Sequence, residues 1–249
     1  MRLRRLQKHW EAFARRDPLW AILTSPGRDG NRWDPEEFFR SGIDEVAALM
    51  RYVASLGVAL PRRRALDFGC GVGRLTRALA RHFDEAWGVD ISPSMIRQAR
   101  QWSQGEACRF VLNETSDLRQ LPDGHFDLVY SNIVLQHIPP RHARRYLREL
   151  VRVTSPGGLL IFQLPVGPSP GTAAPARLKA RVKARLPAPL RSAWDGLRRW
   201  REFPRMDMHG TPREEVERIV RDAGGRVVDV LPDQSAGTAW PGFRYCVTR

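Results

Sequence analysis

A glycine-rich loop between a short apolar run and a helical pattern most constrains the fold. The run Ala65–Phe68 has the length of a buried strand, and leucines and alanines recur at helical spacing over Arg74–His82. The loop between them contains Gly69, Gly71 and Gly73. Backbone without side chains can approach a ligand closely, and ligands bind at the carboxyl ends of strands in open α/β sheets. The loop therefore predicts a ligand site at the end of the first strand.

The spacing of the glycines disfavours two common classes of ligand. The dinucleotide fingerprint G-x-G-x-x-G requires a third glycine where this chain has Arg74. The phosphate-binding loop ends in Gly-Lys-Ser/Thr, and no such ending follows here. Nicotinamide, flavin and nucleoside triphosphate ligands therefore lose support.

Strand and helix patterns alternate from about residue 64, which is typical of parallel strands joined by crossover helices. The last two predicted strands follow one another without a helix, so they must pair in antiparallel fashion. We therefore expect an α/β, Rossmann-like fold with a seven-stranded sheet. The predicted strands are Ala65–Phe68, Ala86–Asp90, Cys108–Leu112, Phe126–Ser131, Leu159–Leu164, Val227–Leu231 and Phe243–Thr248, and helices are predicted over Arg74–His82, Pro140–Val153 and Pro212–Ala223.

Two segments lie outside this alternating pattern. Residues 1–60 contain two helical patterns, 3–16 and 34–56, and we expect them to form an N-terminal helical cap on a domain of residues 61–249. Residues 167–208 form an insertion after the fifth strand, longer than an ordinary connection, and we expect a basic helical lid there.

The positive charge of the chain is concentrated in these two segments. The formal net charge is +14, with 41 Lys and Arg against 27 Asp and Glu. Residues 1–16 hold six basic residues against Glu11, and residues 168–205 hold ten against two acidic ones, so the centre of the chain is nearly neutral. Only three of the basic residues are lysine, so arginine enrichment from a GC-rich coding sequence explains the charge as well as an anionic partner does.

Four segments in order resemble the motifs of class I S-adenosylmethionine-dependent methyltransferases. They are ALDFGCGVGRLTRALA, WGVDISPSMIRQAR, DGHFDLVYSNIVLQHIPP and LRELVRVTSPGGLLIFQLP. The resemblance covers roughly residues 60–165 and the terminal strand pair. It implies the strand order 3-2-1-4-5-7-6 with the last strand antiparallel, S-adenosylmethionine as cofactor, and methyl transfer as the activity.

The resemblance also implies which residues hold the cofactor. Asp90, at the end of the second strand, would accept hydrogen bonds from the ribose hydroxyls, with helix capping as the alternative. Ile91 and Met95 would cover the adenine, or serve as ordinary core. Asp117 and Leu118 would meet the adenine edge, with Glu114 as an alternative to Asp117. The methionine end would lie against Asp67 and the loop residues Gly69, Cys70, Gly71 and Gly73.

Residues after the fourth strand would lie beside the transferred methyl group. They are Ser131, Asn132, Gln136 and His137. His137 is a candidate general base because its ordinary pKa suits proton removal, and a buried structural histidine explains the pattern equally well. His209 is a second candidate. Trp20, Thr24 and Trp240, together with His209, are candidate lid or substrate contacts.

The expected acceptor is a small molecule or a lipid- or glycan-linked intermediate. The amphipathic basic pattern over 177–200 permits contact with an anionic membrane surface, and packing of a lid explains it too. Nucleic acid is disfavoured because no RNA-binding motif is present, although an RNA-directed methyltransferase and a non-catalytic cofactor-binding protein remain alternatives. Three scattered cysteines predict reduced thiols and no metal site, and the N-terminal sequence does not read as a signal peptide, so a cytoplasmic protein is expected.

Overall fold

A seven-stranded mixed sheet runs through the part of the chain that the computed structural model describes, residues 3–105, 107–169, 187 and 204–249. The order of the strands is β3-β2-β1-β4-β5-β7-β6, which confirms the predicted fold class. The strands are β1 Arg64–Phe68, β2 Glu85–Asp90, β3 Cys108–Leu112, β4 Phe126–Ser131, β5 Thr154–Pro165, β6 Arg226–Asp233 and β7 Gly242–Thr248.

Only β7 runs against its neighbours. It pairs in antiparallel fashion with β5 and with β6, whereas β1, β2, β3, β4 and β5 pair in parallel. A short connection over residues 234–241 joins β6 to β7 without a helix, so the chain can only reverse direction there.

Helices cover both faces of the sheet. The helices in the described residues are α1 Leu3–Arg16, α2 Pro18–Ile22, α3 Pro35–Ser55, α4 Arg74–Leu79, α5 Pro93–Trp102, α6 Pro140–Val153 and α7 Arg213–Asp222, with a 3₁₀ turn at Leu135–His137. None of these helices is long and apolar enough to cross a membrane.

Alternate side chains of the central strands enter two separate cores. Leu160 and Phe162 of β5 pack with α6 and α7, while Leu159 and Ile161 pack with α3 and α4. Burial on both faces explains why these strands read as continuous apolar runs rather than as alternating ones.

The boundaries of three elements differ from the sequence patterns. Strand β5 begins at Thr154, because the chain passes from α6 directly into the strand and Gly157 lies within it at a positive φ of 76°. Helix α4 ends at Leu79 rather than His82. Helix α2 was not predicted, although Asp17 accepts a hydrogen bond from the Trp20 N–H and Pro18 occupies the first turn.

The predicted N-terminal helices are present, and α1 is attached to the start of α5. Glu11 accepts hydrogen bonds from the hydroxyls of Ser92 at 2.7 Å and Ser94 at 2.6 Å, and from the Ser94 N–H at 3.1 Å. Burial opposes ionisation of Glu11, but these hydrogen bonds outweigh it and lower its pKa to about 2. The carboxylate also lies at a helix N-terminus, where negative charge is stabilised. The basic helices predicted over 177–200 lie outside the described residues.

We predict that Glu11→Gln lowers the free energy of unfolding by about 1–2 kcal/mol at neutral pH, because charge-assisted hydrogen bonds are lost. A carboxyl whose pKa is lowered on folding stabilises the protein above its unfolded pKa, near 4.5. The difference between variant and wild type should therefore shrink as the pH falls from 4.5 towards 2. Urea unfolding between pH 3 and 7 measures it, with the exposed Glu36→Gln as control. A difference independent of pH would contradict the role of the carboxylate.

Candidate functional site

A cavity of about 300 Å³ lies where β1, β2 and β4 end. The glycine loop, Asp90 and the residues after β4 form its floor, and α1 and α2 close it from one side. Met206 and Met208, from the described end of the insertion, and Ser235, from the β6–β7 connection, close it from another. Cavities of this size suit small organic ligands.

The glycine loop lies so close to two neighbouring side chains that Gly69 and Gly71 have no room for a Cβ. Gly69 and Gly71 line the cavity with φ values of 82° and 53°. A Cβ on Gly69 would lie 2.4 Å from a methyl carbon of Val134, and a Cβ on Gly71 would lie 2.4 Å from the Cδ1 of Ile22. Two further predicted contacts in the loop, Cys70 and Gly73, do not line the cavity. The Cys70 side chain is buried, and Gly73 is the N-cap of α4.

Asp90 lies on the cavity wall and anchors the loop. Its carboxylate accepts hydrogen bonds from the N–H of Gly71 at 3.0 Å and of Ser92 at 2.8 Å. Burial raises its pKa. Ile91 and Met95 line the cavity beside it, so the structure brings these three predicted residues together.

Asp67 lies below the loop rather than on the wall. It is buried, and the hydroxyl of Thr76 in α4 donates to it at 2.7 Å. Burial raises its pKa to about 7. Its position joins β1 to α4, and it does not line the cavity with Gly69 and Gly71.

The structure does not bring the predicted adenine contacts Asp117 and Leu118 to the cavity. Arg119 and Arg145 each bind the carboxylate of Asp117 at 2.7 Å, and Arg119 above all holds its pKa well below the usual range. Leu118 is buried in the core. The alternative, Glu114, accepts a hydrogen bond from Gln7 of α1 at 2.6 Å.

Asn113 occupies the cavity wall where these acidic residues were expected. It is the first residue after β3, and its side-chain amide contacts the hydroxyl of Tyr146 at 3.3 Å. Neither residue was predicted. An acidic residue was expected after β3, and Tyr146 reaches this position from α6, which is distant in the sequence.

His137 lines the cavity as a neutral imidazole. Its Nδ1–H donates to the carbonyl of Asp207 at 2.9 Å, since a carbonyl can only accept. Its Nε2, 3.2 Å from the Gln136 side-chain nitrogen, therefore accepts from that amide. Burial lowers its pKa to about 4, and the ring of Trp10 contacts it edge-on at 5.3 Å. The lone pair that a general base would use is thus already engaged.

The residues between β4 and the 3₁₀ turn combine a polar wall with backbone strain. Ser131 is buried and donates to the carbonyl of Phe68, so it joins β4 to β1 and does not line the cavity. Asn132 does line it, and its amide donates to Glu45 at 2.8 Å. Ile133 follows with a φ of 58°, a conformation that a β-branched side chain rarely adopts.

The candidate lid contacts divide into two groups. Thr24 lines the cavity, whereas Trp20, His209 and Trp240 do not. His209 instead holds the insertion onto the 3₁₀ turn, because its backbone N–H donates to the carbonyl of Gln136 at 2.7 Å. No pattern in the sequence pointed to Met206 and Met208, the methionines that occupy the wall there.

Comparison with known proteins shows what the sequence around this cavity is similar to. Residues 66–162 match a family described as "Methyltransferase domain". Magnesium protoporphyrin IX methyltransferase from Synechocystis, solved with bound S-adenosylhomocysteine, has the same fold, with a TM-score of 0.64 and 18% identity over 98% of this chain and 97% of that one.

The segment that contains the glycine loop, Asp90 and His137 is therefore similar to a methyltransferase domain. The trans-aconitate 2-methyltransferase of Methylobacterium nodulans is 33% identical over 136 residues, 53% of this chain and 50% of that protein. The 2-methyl-6-phytyl-1,4-hydroquinone methyltransferase of Synechocystis is 32% identical over 137 residues, 53% and 42% respectively. The chain thus spans about half the length of these relatives.

We predict that the His137 imidazole stays neutral, protonated at Nδ1, down to about pH 5, because burial holds its pKa near 4. Long-range ¹⁵N–¹H correlation spectra measure this, with the urea-unfolded chain as reference, where the midpoint should lie near 6.5. Because the unfolded state binds this proton first, His137 should destabilise the fold as the pH falls from 6.5 to 4. A folded-state midpoint near 6.5 would refute the buried tautomer.

Proposed function

We propose that this protein transfers the methyl group of S-adenosylmethionine to a small-molecule acceptor. The observation that carries the proposal is the single cavity wall shared by the glycine loop, Asp90 and the residues after β4. The cofactor supplies an activated methyl group on a sulfonium, so the protein has mainly to bind and orient the two reactants.

The polar groups of the cavity fit this cofactor. Asp90 presents carboxylate oxygens for two ribose hydroxyls, and Ile91 and Met95 offer apolar contacts to the adenine. Asn113, rather than Asp117, faces the adenine edge with an amide that can both donate and accept. Gly69 and Gly71 leave room for the methionine end to approach the backbone.

Two carbonyl oxygens support the placement of the methionine ammonium. Oε1 of Gln136 and Oδ1 of Asn132 are buried and have no hydrogen-bond partner within the described ranges, and both residues line the cavity. An ammonium supplies the donors that these oxygens lack. His137 then acts as a positioning residue, because its Nε2 fixes the amide of Gln136.

The acceptor would enter beside Asn132 and Ile133, between the described end of the insertion and the β6–β7 connection. Met206, Met208 and Ser235 give that side of the cavity an adaptable and mainly apolar surface. Such a surface suits a small organic molecule. The proposed lipid- or glycan-linked acceptors and the membrane contact through 177–200 depend on residues outside the described ranges.

We predict that Asp90→Ala weakens binding of S-adenosylhomocysteine by about 1–3 kcal/mol, the loss expected when hydrogen bonds to a charged group are removed. Isothermal titration calorimetry measures it. Asp84→Ala removes the same charge from the exposed turn before β2 and should leave the affinity unchanged. Equal affinities of Asp90→Ala and wild type would refute the ribose assignment.

Methyl transfer itself is tested with labelled S-adenosylmethionine and a cell extract, followed by mass spectrometry of the labelled product. We expect a small molecule to acquire the label, and an Asp90→Ala reaction to yield much less. Binding of S-adenosylhomocysteine without any labelled product would favour the non-catalytic alternative. A labelled polynucleotide would favour the RNA alternative.

A further inference from the structure

Three polar side chains form a row across the sheet beside the cavity. Asn132 follows β4, Gln163 lies in β5, and Arg244 lies in β7; we call them the cross-strand row. Gln163 and Arg244 are direct partners in the β5–β7 ladder, so their side chains share one face of the sheet. Tyr130 pairs with Ile161 in the β4–β5 ladder, and two residues further along Asn132 and Gln163 fall on that same face.

Gln163 is buried without hydrogen-bond partners. Its relative exposure is 1%, and neither its side-chain nitrogen nor its oxygen has a partner in the part of the chain that the structure describes. Buried polar side chains are nearly always paired with protein, water or ligand, so an amide with both ends unpaired requires an explanation. The residue opposite it in the β5–β7 ladder is the cationic Arg244.

Arg244 also has an unpaired donor. One terminal nitrogen binds the carboxylate of Asp233 at 3.0 Å, while its Nε is buried and lacks a partner among the described residues. The Arg244 side chain as a whole is 29% exposed, although its Nε is buried. Two N–H donors, one of them on a guanidinium, therefore lie side by side.

The neighbouring carboxylates are already engaged. Glu45 of α3 binds Arg74 at 2.6 Å, the hydroxyl of Tyr130 at 3.0 Å and the amide of Asn132 at 2.8 Å. Asp233 accepts from the backbone N–H of Ser235 at 2.8 Å as well as from Arg244. Neither of these two acids therefore supplies the acceptor that Gln163 and the Nε of Arg244 lack.

The cross-strand row adjoins the cavity at both of its ends. Asn132 lines the cavity directly, and Ser235, held by the Asp233 that binds Arg244, lines it from the β6–β7 connection. Gln163 and Arg244 themselves do not line the cavity, so a molecule in it would reach them between Asn132 and Ser235.

We propose that Gln163 and Arg244 of the cross-strand row bind a carboxylate of the methyl acceptor, which makes the acceptor a small carboxylic acid. A carboxylate accepts two N–H bonds at once, and its bond to a guanidinium is charge-assisted. Gln163 and Arg244 together offer that pair of donors. The inference rests on the proposed function, because it assigns the acceptor end of the same site.

The test measures binding of trans-aconitate, a small tricarboxylate, by calorimetry, with its trimethyl ester as the uncharged probe. Each is titrated into the full chain with and without S-adenosylhomocysteine. We expect trans-aconitate to bind and the ester not to. Arg244→Gln should weaken binding at least about tenfold and Gln163→Leu about fivefold, since each removes one donor to a charged group. Arg226→Gln is the matched control, because it removes an exposed arginine at the start of β6, at the other end of that strand from Asp233.

Thermal unfolding of the same variants separates ligand binding from a structural role. Gln163→Leu should keep or raise the Tm, because an apolar side chain replaces an unpaired buried amide. A lowered Tm with unchanged trans-aconitate affinity would overturn the proposal and indicate an ordered water as the partner. Equal binding of acid and ester, equal effects of Arg244→Gln and Arg226→Gln, or no binding of trans-aconitate to the wild type would overturn it too. Failure of S-adenosylhomocysteine to bind would instead refute the proposed function, while the titrations without it still decide the carboxylate site.

Discussion

The contact between Val134 and Gly69 determines the arrangement of the whole carboxyl edge of the sheet. A Cβ at Gly69 would overlap the methyl groups of Val134, so the turn after β1 and the turn after β4 can meet only because this side chain is missing. A Cβ at Gly71 would likewise overlap the side chain of Ile22 in α2. The loop is therefore a packing surface for two other segments as well as the floor of a binding cavity.

The fold was predictable because its signals are local. Apolar runs and the missing helix between the last two strands are read within about twenty residues, and they indicate which strands are parallel and which are antiparallel. The order of the strands followed from the resemblance of the motifs to a known family. Asp90 could be placed for the same reason, since the last residue of a parallel strand must lie at the edge where ligands bind. The ends of β5 and α4 depend on longer-range packing and were missed.

The misplaced residues are those whose position depends on distant partners. Asp117 binds Arg145 of α6 and so lies away from the cavity. Its second partner, Arg119, is only two residues away, and this ion pair could have been expected from the sequence. The neutrality of His137 follows from its burial, and its tautomer follows from the carbonyl of Asp207, seventy residues away. Trp10 of α1 reaches the same cavity only through the docking of the cap. Sequence periodicity carries no information about such contacts.

The left-handed conformation of Ile133 has a consequence for how this protein can change. Glycine or asparagine adopts that backbone with less strain, so selection for thermal resistance alone would favour either residue at this position. The isoleucine side chain, however, faces the cavity between Asn132 and Val134. At position 133, thermal stability and ligand selectivity therefore favour different residues. Directed evolution that selects for thermal stability alone should change the ligand selectivity of the protein.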